Sequence, residues 1–72
     1  MTQEKFRGIL KEHAPELVDR LLLDTEKKNL QVFGYGIKGF VLSMIETSIQ
    51  LTKGEISGNE IEQIMDFGRE ML

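Results

Sequence analysis

The chain has 72 residues, no cysteine, one histidine and a formal net charge of −3. Its 40% hydrophobic and 29% charged residues are typical of a single small globular domain. This composition excludes a disulfide framework and a cysteine- or histidine-rich metal site. The acidic balance argues against a nucleic-acid partner. Apolar runs fall far short of the ~20 residues of a membrane span and the N-terminus has no signal-peptide pattern, so we expect a cytoplasmic protein with no membrane partner.

Two helices are predicted in the first half of the chain, separated by Pro15. Apolar positions repeat at helical spacing from Phe6 to His13, and the residue before a proline disfavours helix, so the first helix is predicted to end there. Pro15 is suited to the first turn of the second helix. Leu23 and Leu30 form a narrow second stripe on that helix. Its main predicted buried face consists of Leu17, Val18, Leu21, Leu22, Val32 and Phe33, with Thr25 and Asn29 inside it.

The third predicted helix follows Gly36 and is apolar over about half of its circumference, which is typical of the most buried helix of a bundle. The opposite arc carries small residues at every fourth position, Gly39, Ser43 and Thr47, which would let another helix approach closely. The predicted apolar arc consists of Ile37, Phe40, Val41, Met44, Ile45 and Ile49, widened by Leu42 and Leu51.

The fourth predicted helix begins with a strong start signal, since Ser57 is followed three residues later by Glu60 in the pattern of a capping box. Its apolar face is still in phase at Met71 and Leu72. We therefore expect that a partner covers this end or that a longer chain continues from it. The fold class predicted for residues 1–72 is a single all-α domain, a small four-helix bundle.

Three glycines at the junction of the second and third helices spell G-x-G-x-x-G at Gly34, Gly36 and Gly39. A dinucleotide-binding site needs this pattern between a strand and a helix, with an acidic residue at the end of a second strand. Only the helix is predicted here, so we interpret the segment as a tight connection in which Gly34 has a positive φ. Glycine inside the third helix at Gly39 indicates crowding or function. The helix start with Lys38 beside it is a candidate anion site.

The segments "FGYGIKGFVLSMIETSIQLT", "IMDFGREML" and "TEKKNL" resemble the helical cap of a subgroup of haloacid-dehalogenase-like hydrolases. The likeness is strongest from Thr25 to Leu72. In that family the cap is inserted after the first strand of a Rossmann-like catalytic core domain and shapes the choice of substrate. The family transfers phosphoryl groups through an aspartate of a D-x-D motif, assisted by Mg²⁺.

The resemblance implies a substrate-specificity cap, cytoplasmic, whose catalytic core domain is absent from this chain and would be its partner. The parent would be a phosphatase acting on a small phosphorylated molecule with Mg²⁺. No D-x-D occurs in the sequence, so no catalytic residue and no metal ligand is assigned, and activity of this chain alone is not expected. The substrate-binding candidates are the cap-loop residues Gly34, Tyr35, Gly36, Lys38 and Gly39.

An alternative function is a stand-alone helical module that forms homo-oligomers through Leu23 and Leu30 or through the end of the fourth helix. Self-association does not separate the two functions, because an isolated cap could also form a homodimer through the surface that its core domain would cover.

Overall fold

A computed structural model describes residues 2–71, which form four α-helices and no strand. Helix α3 packs on α2 and α4, and α1 packs on α4 and α2, so the helices close into a ring around one hydrophobic core. The predicted all-α four-helix bundle is confirmed over these residues; Leu72 lies outside them. The helices are α1 (Thr2–Ile9), α2 (Pro15–Phe33), α3 (Ile37–Thr52) and α4 (Gly58–Glu70).

The hydrophobic core is small, and polar residues complete the buried face of α2. The sequence correctly predicts burial of Val18 and Leu22 on this helix. Three other apolar residues of the predicted face are exposed, namely Val32 (74%), Leu17 and Phe33. The predicted face was therefore too broad, because a helix buries only a limited stripe against its neighbours. Fully or almost fully buried apolar side chains are Phe6, Leu10, Val18, Leu22, Met44 and Ile64.

Helix α3 is buried on two sides. Gly39, Ser43 and Thr47 are buried as α2 packs on α3, which confirms the predicted seam of small residues. The apolar arc of α3 packs on the hydrophobic core and on α4, but Leu42 and Ile49 at its edges are exposed, so this part of the prediction was wrong. The reason is that the polar arc of α3 is itself buried against α2. The apolar arc is therefore not the only buried face of α3, and the residues at its edges remain in contact with solvent.

The first helix is shorter than the sequence predicts: it ends at Ile9, well before Pro15. The Leu10 N–H donates to the Arg7 carbonyl at 3.1 Å, and the His13 N–H donates to the Leu10 carbonyl at 2.9 Å. These bonds form turns that reverse the chain into α2. His13 consequently lies on a turn and not on the helical stripe.

The start of α4 agrees with the sequence. The Glu60 N–H donates to Ser57 Oγ at 3.1 Å, and the Ser57 N–H donates to Glu60 Oε1 at 3.1 Å. The predicted capping box is confirmed, and it satisfies two backbone donors at the start of the helix. Helix α3 ends just before this capping box, with both Lys53 and Gly54 at positive φ.

Candidate functional site

The glycine loop turns the chain sharply between α2 and α3. Gly34 has φ 73° and Gly36 has φ 123°, values that L-residues with a side chain rarely adopt. The Gly34 N–H donates to the Leu30 carbonyl at 3.0 Å, and the Phe40 N–H donates to the Gly36 carbonyl at 3.1 Å. The first bond ends α2 and the second begins α3, so the predicted role of these two glycines in the connection is confirmed.

Gly39 allows the first turn of α3 to lie directly against this loop. A Cβ atom at this position would be 2.9 Å from the Gly34 carbonyl oxygen and 3.6 Å from Phe33 Cβ. The nearer atom belongs to the backbone and cannot rotate away. The close approach of the loop to α3 therefore explains why the helix has a glycine at this position, and it agrees with the crowding that the sequence predicted there.

A cavity of about 80 Å³ lies beside the loop, between α2 and α3. The loop contributes Gly34, Tyr35 and Gly36, and α3 contributes Gly39 at the helix start. Tyr35 is 90% exposed, so its ring is available to a ligand or to another part of a larger protein. The remaining lining residues come from the helices and are Glu26, Asn29, Leu30, Phe40 and Ser43.

A network of polar side chains connects α2 to α3 at one side of the cavity. The Asn29 amide donates to Ser43 Oγ at 3.2 Å and to Glu46 Oε1 at 3.1 Å, and Lys28 donates to the other oxygen of Glu46. Asn29 and Ser43 are buried. The hydrogen bond from Lys28, followed by the one from Asn29, lowers the pKa of the Glu46 carboxyl. The network holds the two helices in register and keeps Glu46 ionised.

Glu26 differs from Glu46 because it has no hydrogen bond or ion pair among the described residues. Its side chain is partly buried and lines the cavity. Burial raises the pKa of Glu26, since water is partly removed from the carboxylate and no positive group replaces it. A carboxylate in this position can accept hydrogen bonds from a donor that enters the cavity.

Lys38 lies in a different place from the other candidate residues. It lines a groove of about 340 Å³ between α3 and α4, together with Val41, Leu42, Met65 and Gly68 on its largely apolar wall. A Cβ atom at Gly68 would be 2.5 Å from Val41 Cγ2, so this glycine lets α4 approach α3 beneath the groove. The structure thus brings Gly34, Tyr35, Gly36 and Gly39 together at the cavity and places Lys38 at the groove.

Three polar residues that line the cavity were not among the predicted site residues, namely Glu26, Asn29 and Ser43. Asn29 gave a usable signal, because a polar residue inside an otherwise apolar face indicates a buried hydrogen bond. Ser43 was assigned to the small, polar arc of the third helix and not to a site. Glu26 gave no signal, because a single glutamate on a helix is usually solvated.

Among residues 2–71, no group of three or more His, Asp or Glu side chains could hold a metal ion. None of the helices is both long and apolar enough to cross a membrane.

Leu23 and Leu30, the stripe of the alternative function, differ in their surroundings. Leu23 is 51% exposed, whereas Leu30 is half-buried and lines the cavity. The two leucines therefore do not present one continuous exposed stripe.

No protein-family model matches the chain, and no curated protein matches it. Among solved structures, the chain is similar to a haloacid dehalogenase-like family hydrolase from Xanthomonas campestris, with 41% sequence identity and a TM-score of 0.83. The match covers 94% of this chain and 28% of that hydrolase. The resemblance to the haloacid-dehalogenase-like hydrolases is therefore confirmed, and this four-helix, all-helical piece is consistent with a cap domain of such a protein.

Proposed function

We propose that this chain is the substrate-specificity cap of a haloacid-dehalogenase-like phosphatase and is not catalytic alone. The observation that carries the proposal is the match of 94% of the chain, at 41% identity, to only 28% of a hydrolase of this family. A purely helical piece of this size agrees with a cap. The nucleophilic aspartate and the Mg²⁺ ligands would then belong to a catalytic core domain in the same parent protein.

In this proposal the groove between α3 and α4 faces the catalytic core domain. Its wall is largely apolar, and Leu42 and Met65 within it are exposed. Lys38 and Arg69 also line it. Arg69 pairs with Glu62 and Asp66 on its own helix, whereas Lys38 has no ion pair among residues 2–71. Lys38 is therefore the cation that we assign to the anionic phosphate end of the substrate.

The glycine loop would present Tyr35 to the substrate from the cap side. A closed cap excludes water from the phosphoryl group and uses contacts with the rest of the substrate for selection. The loop suits this role because its backbone conformation is set by Gly34 and Gly36, and the Gly34 carbonyl lies directly against α3. Tyr35 is consequently exposed on a connection whose two ends are held by helices.

The first test is the native coding frame on both sides of this segment in the source DNA. An upstream strand with D-x-D and a downstream α/β core would support the proposal. A start codon at Met1 together with a stop codon after Leu72 would contradict it, and the substrate role of the loop would fall with it.

The second test uses the parent enzyme and its own substrate. We expect Lys38→Ala to lower kcat/KM by about 10-fold or more, since a hydrogen bond to a charged group contributes roughly 1.5–3 kcal/mol. Tyr35→Phe tests the loop hydroxyl in the same assay, and Lys27→Ala is the control because Lys27 is an exposed cation of α2 away from the groove. Unchanged kcat/KM in both test variants would leave the loop with a structural role only.

A further inference from the structure

The cavity beside the glycine loop is small enough to define what can enter it. Its volume is about 80 Å³, well below the roughly 300–1,000 Å³ of pockets that enclose a drug-sized ligand. It therefore admits one end of a small molecule and not a whole metabolite. A polar group at that end would contact Glu26, Asn29 or Ser43.

The hydrogen-bonding capacity of these side chains decides which polar group fits. Asn29 already uses both amide hydrogens, toward Ser43 and Glu46. Lys28 is occupied by Glu46. The Glu26 carboxylate has no donor among residues 2–71, so the wall offers acceptor oxygens for which the protein supplies no partner.

The charge of the cavity also favours a ligand group that donates hydrogen bonds. The end of α2 and the start of α3 meet at the loop, and the partial charges of the two helix termini have opposite signs and oppose each other. Glu46 is compensated by Lys28. Glu26 is then the uncompensated charge of the lining, and a cation that replaces its lost water would be stabilised there.

We propose that this cavity is a subsite for a protonated primary amine at the end of a small molecule, with the Glu26 carboxylate as its counter-ion. The amine donates to the Glu26 carboxylate, and its attached carbon contacts Leu30 and Phe40 on the apolar part of the wall. Its role as a substrate subsite rests on the proposed cap function, whereas binding of the amine is a property of this chain. A phosphate monoester with an aminoalkyl group would then be the favoured substrate class.

The test is an NMR titration of the 72-residue protein, labelled with ¹⁵N, using ethanolammonium chloride and, in parallel, ethylene glycol at matched ionic strength. The two probes have the same size, and a hydroxyl replaces the ammonium in the second. We expect saturable shifts of the Gly36, Gly39 and Ser43 amides with ethanolammonium only. Glu26→Gln should weaken binding by about 10-fold or more, because a charge-assisted hydrogen bond is lost. Asp24→Asn is the control, since it removes the same charge from an exposed position of the same helix.

Three results would overturn the amine subsite: equal shifts with both probes, full affinity in Glu26→Gln, or no saturable shift with either probe. Urea unfolding of each variant shows whether it is folded, so lost binding cannot come from a lost fold. These outcomes are independent of the cap function. A coding frame without a catalytic core domain would contradict the proposed function and leave the amine titration valid, and the reverse also holds.

Discussion

Replacement of Gly39 by alanine tests the close approach of the loop to α3. The new Cβ would lie 2.9 Å from the Gly34 carbonyl oxygen, so the loop or the first turn of α3 must move by a few tenths of an ångström. Overpacking of this kind costs about 1–3 kcal/mol. Alanine also favours a helix interior by about 1 kcal/mol relative to glycine. We therefore expect a net loss of up to about 2 kcal/mol, from a total of roughly 4–11 kcal/mol for a protein of this length.

Urea unfolding followed by circular dichroism measures this change. With a slope of about 1 kcal/mol per molar urea, the midpoint should fall by up to ~2 M. Gly8→Ala is the matched control, because Gly8 is helical and a Cβ there would meet no atom within 4 Å. That variant should be unchanged or slightly more stable. If Gly39→Ala proved more stable than the unmodified protein, the steric account of this glycine would be refuted.

Three further predictions concern the charged and polar groups around the cavity. Asn29→Ala should cost about 1–3 kcal/mol, because Glu46 loses a buried donor, and calorimetry should show a lower Tm. The pKa of Glu46 is lowered in the folded protein, so its contribution to stability is present above the unfolded pKa and is lost as pH falls through the folded pKa. Lys28→Met should raise the Glu46 pKa in a ¹³C NMR titration, and an unchanged pKa would contradict the assigned cause. The pKa of Glu26 is raised, so its ionised carboxylate lowers the stability of the fold. Glu26→Gln should therefore shift the urea midpoint upward near about pH 7 but not near about pH 3. The same shift of the midpoint at both pH values would contradict burial of an unpaired carboxylate.

Local signals in the sequence were sufficient for most helix boundaries. The Ser57–Glu60 capping box, Pro15 and the Gly34–Gly36 connection each depend on a backbone conformation or a hydrogen bond within a few residues. Such features form in the same way whatever the rest of the fold does. The end of α1 was predicted less well, because turns after Ile9 extend through residues that also fit a helical stripe.

Burial on α2 and α3 could be predicted only in part. Apolar periodicity indicates which face of a helix is buried, but not how wide that face is or which neighbour covers it. Val32 and Leu42 were expected to be buried and are exposed, and the hydrogen bond between the buried Asn29 and Ser43 was not predicted. A polar side chain is stable there when it finds a partner, and the partner lies on another helix.

The sequence by itself determined that this is one small helical bundle, where its helices are joined, and its resemblance to the haloacid-dehalogenase-like hydrolases. These conclusions depend on local backbone preferences and on short-range patterns of residues. Only the tertiary structure placed Glu26, Asn29 and Ser43 around one cavity and separated Lys38 from it. The reason is physical: the charge and hydrogen-bonding capacity of a cavity depend on which side chains remain unpaired after the helices have packed, and packing joins residues that are distant in the chain.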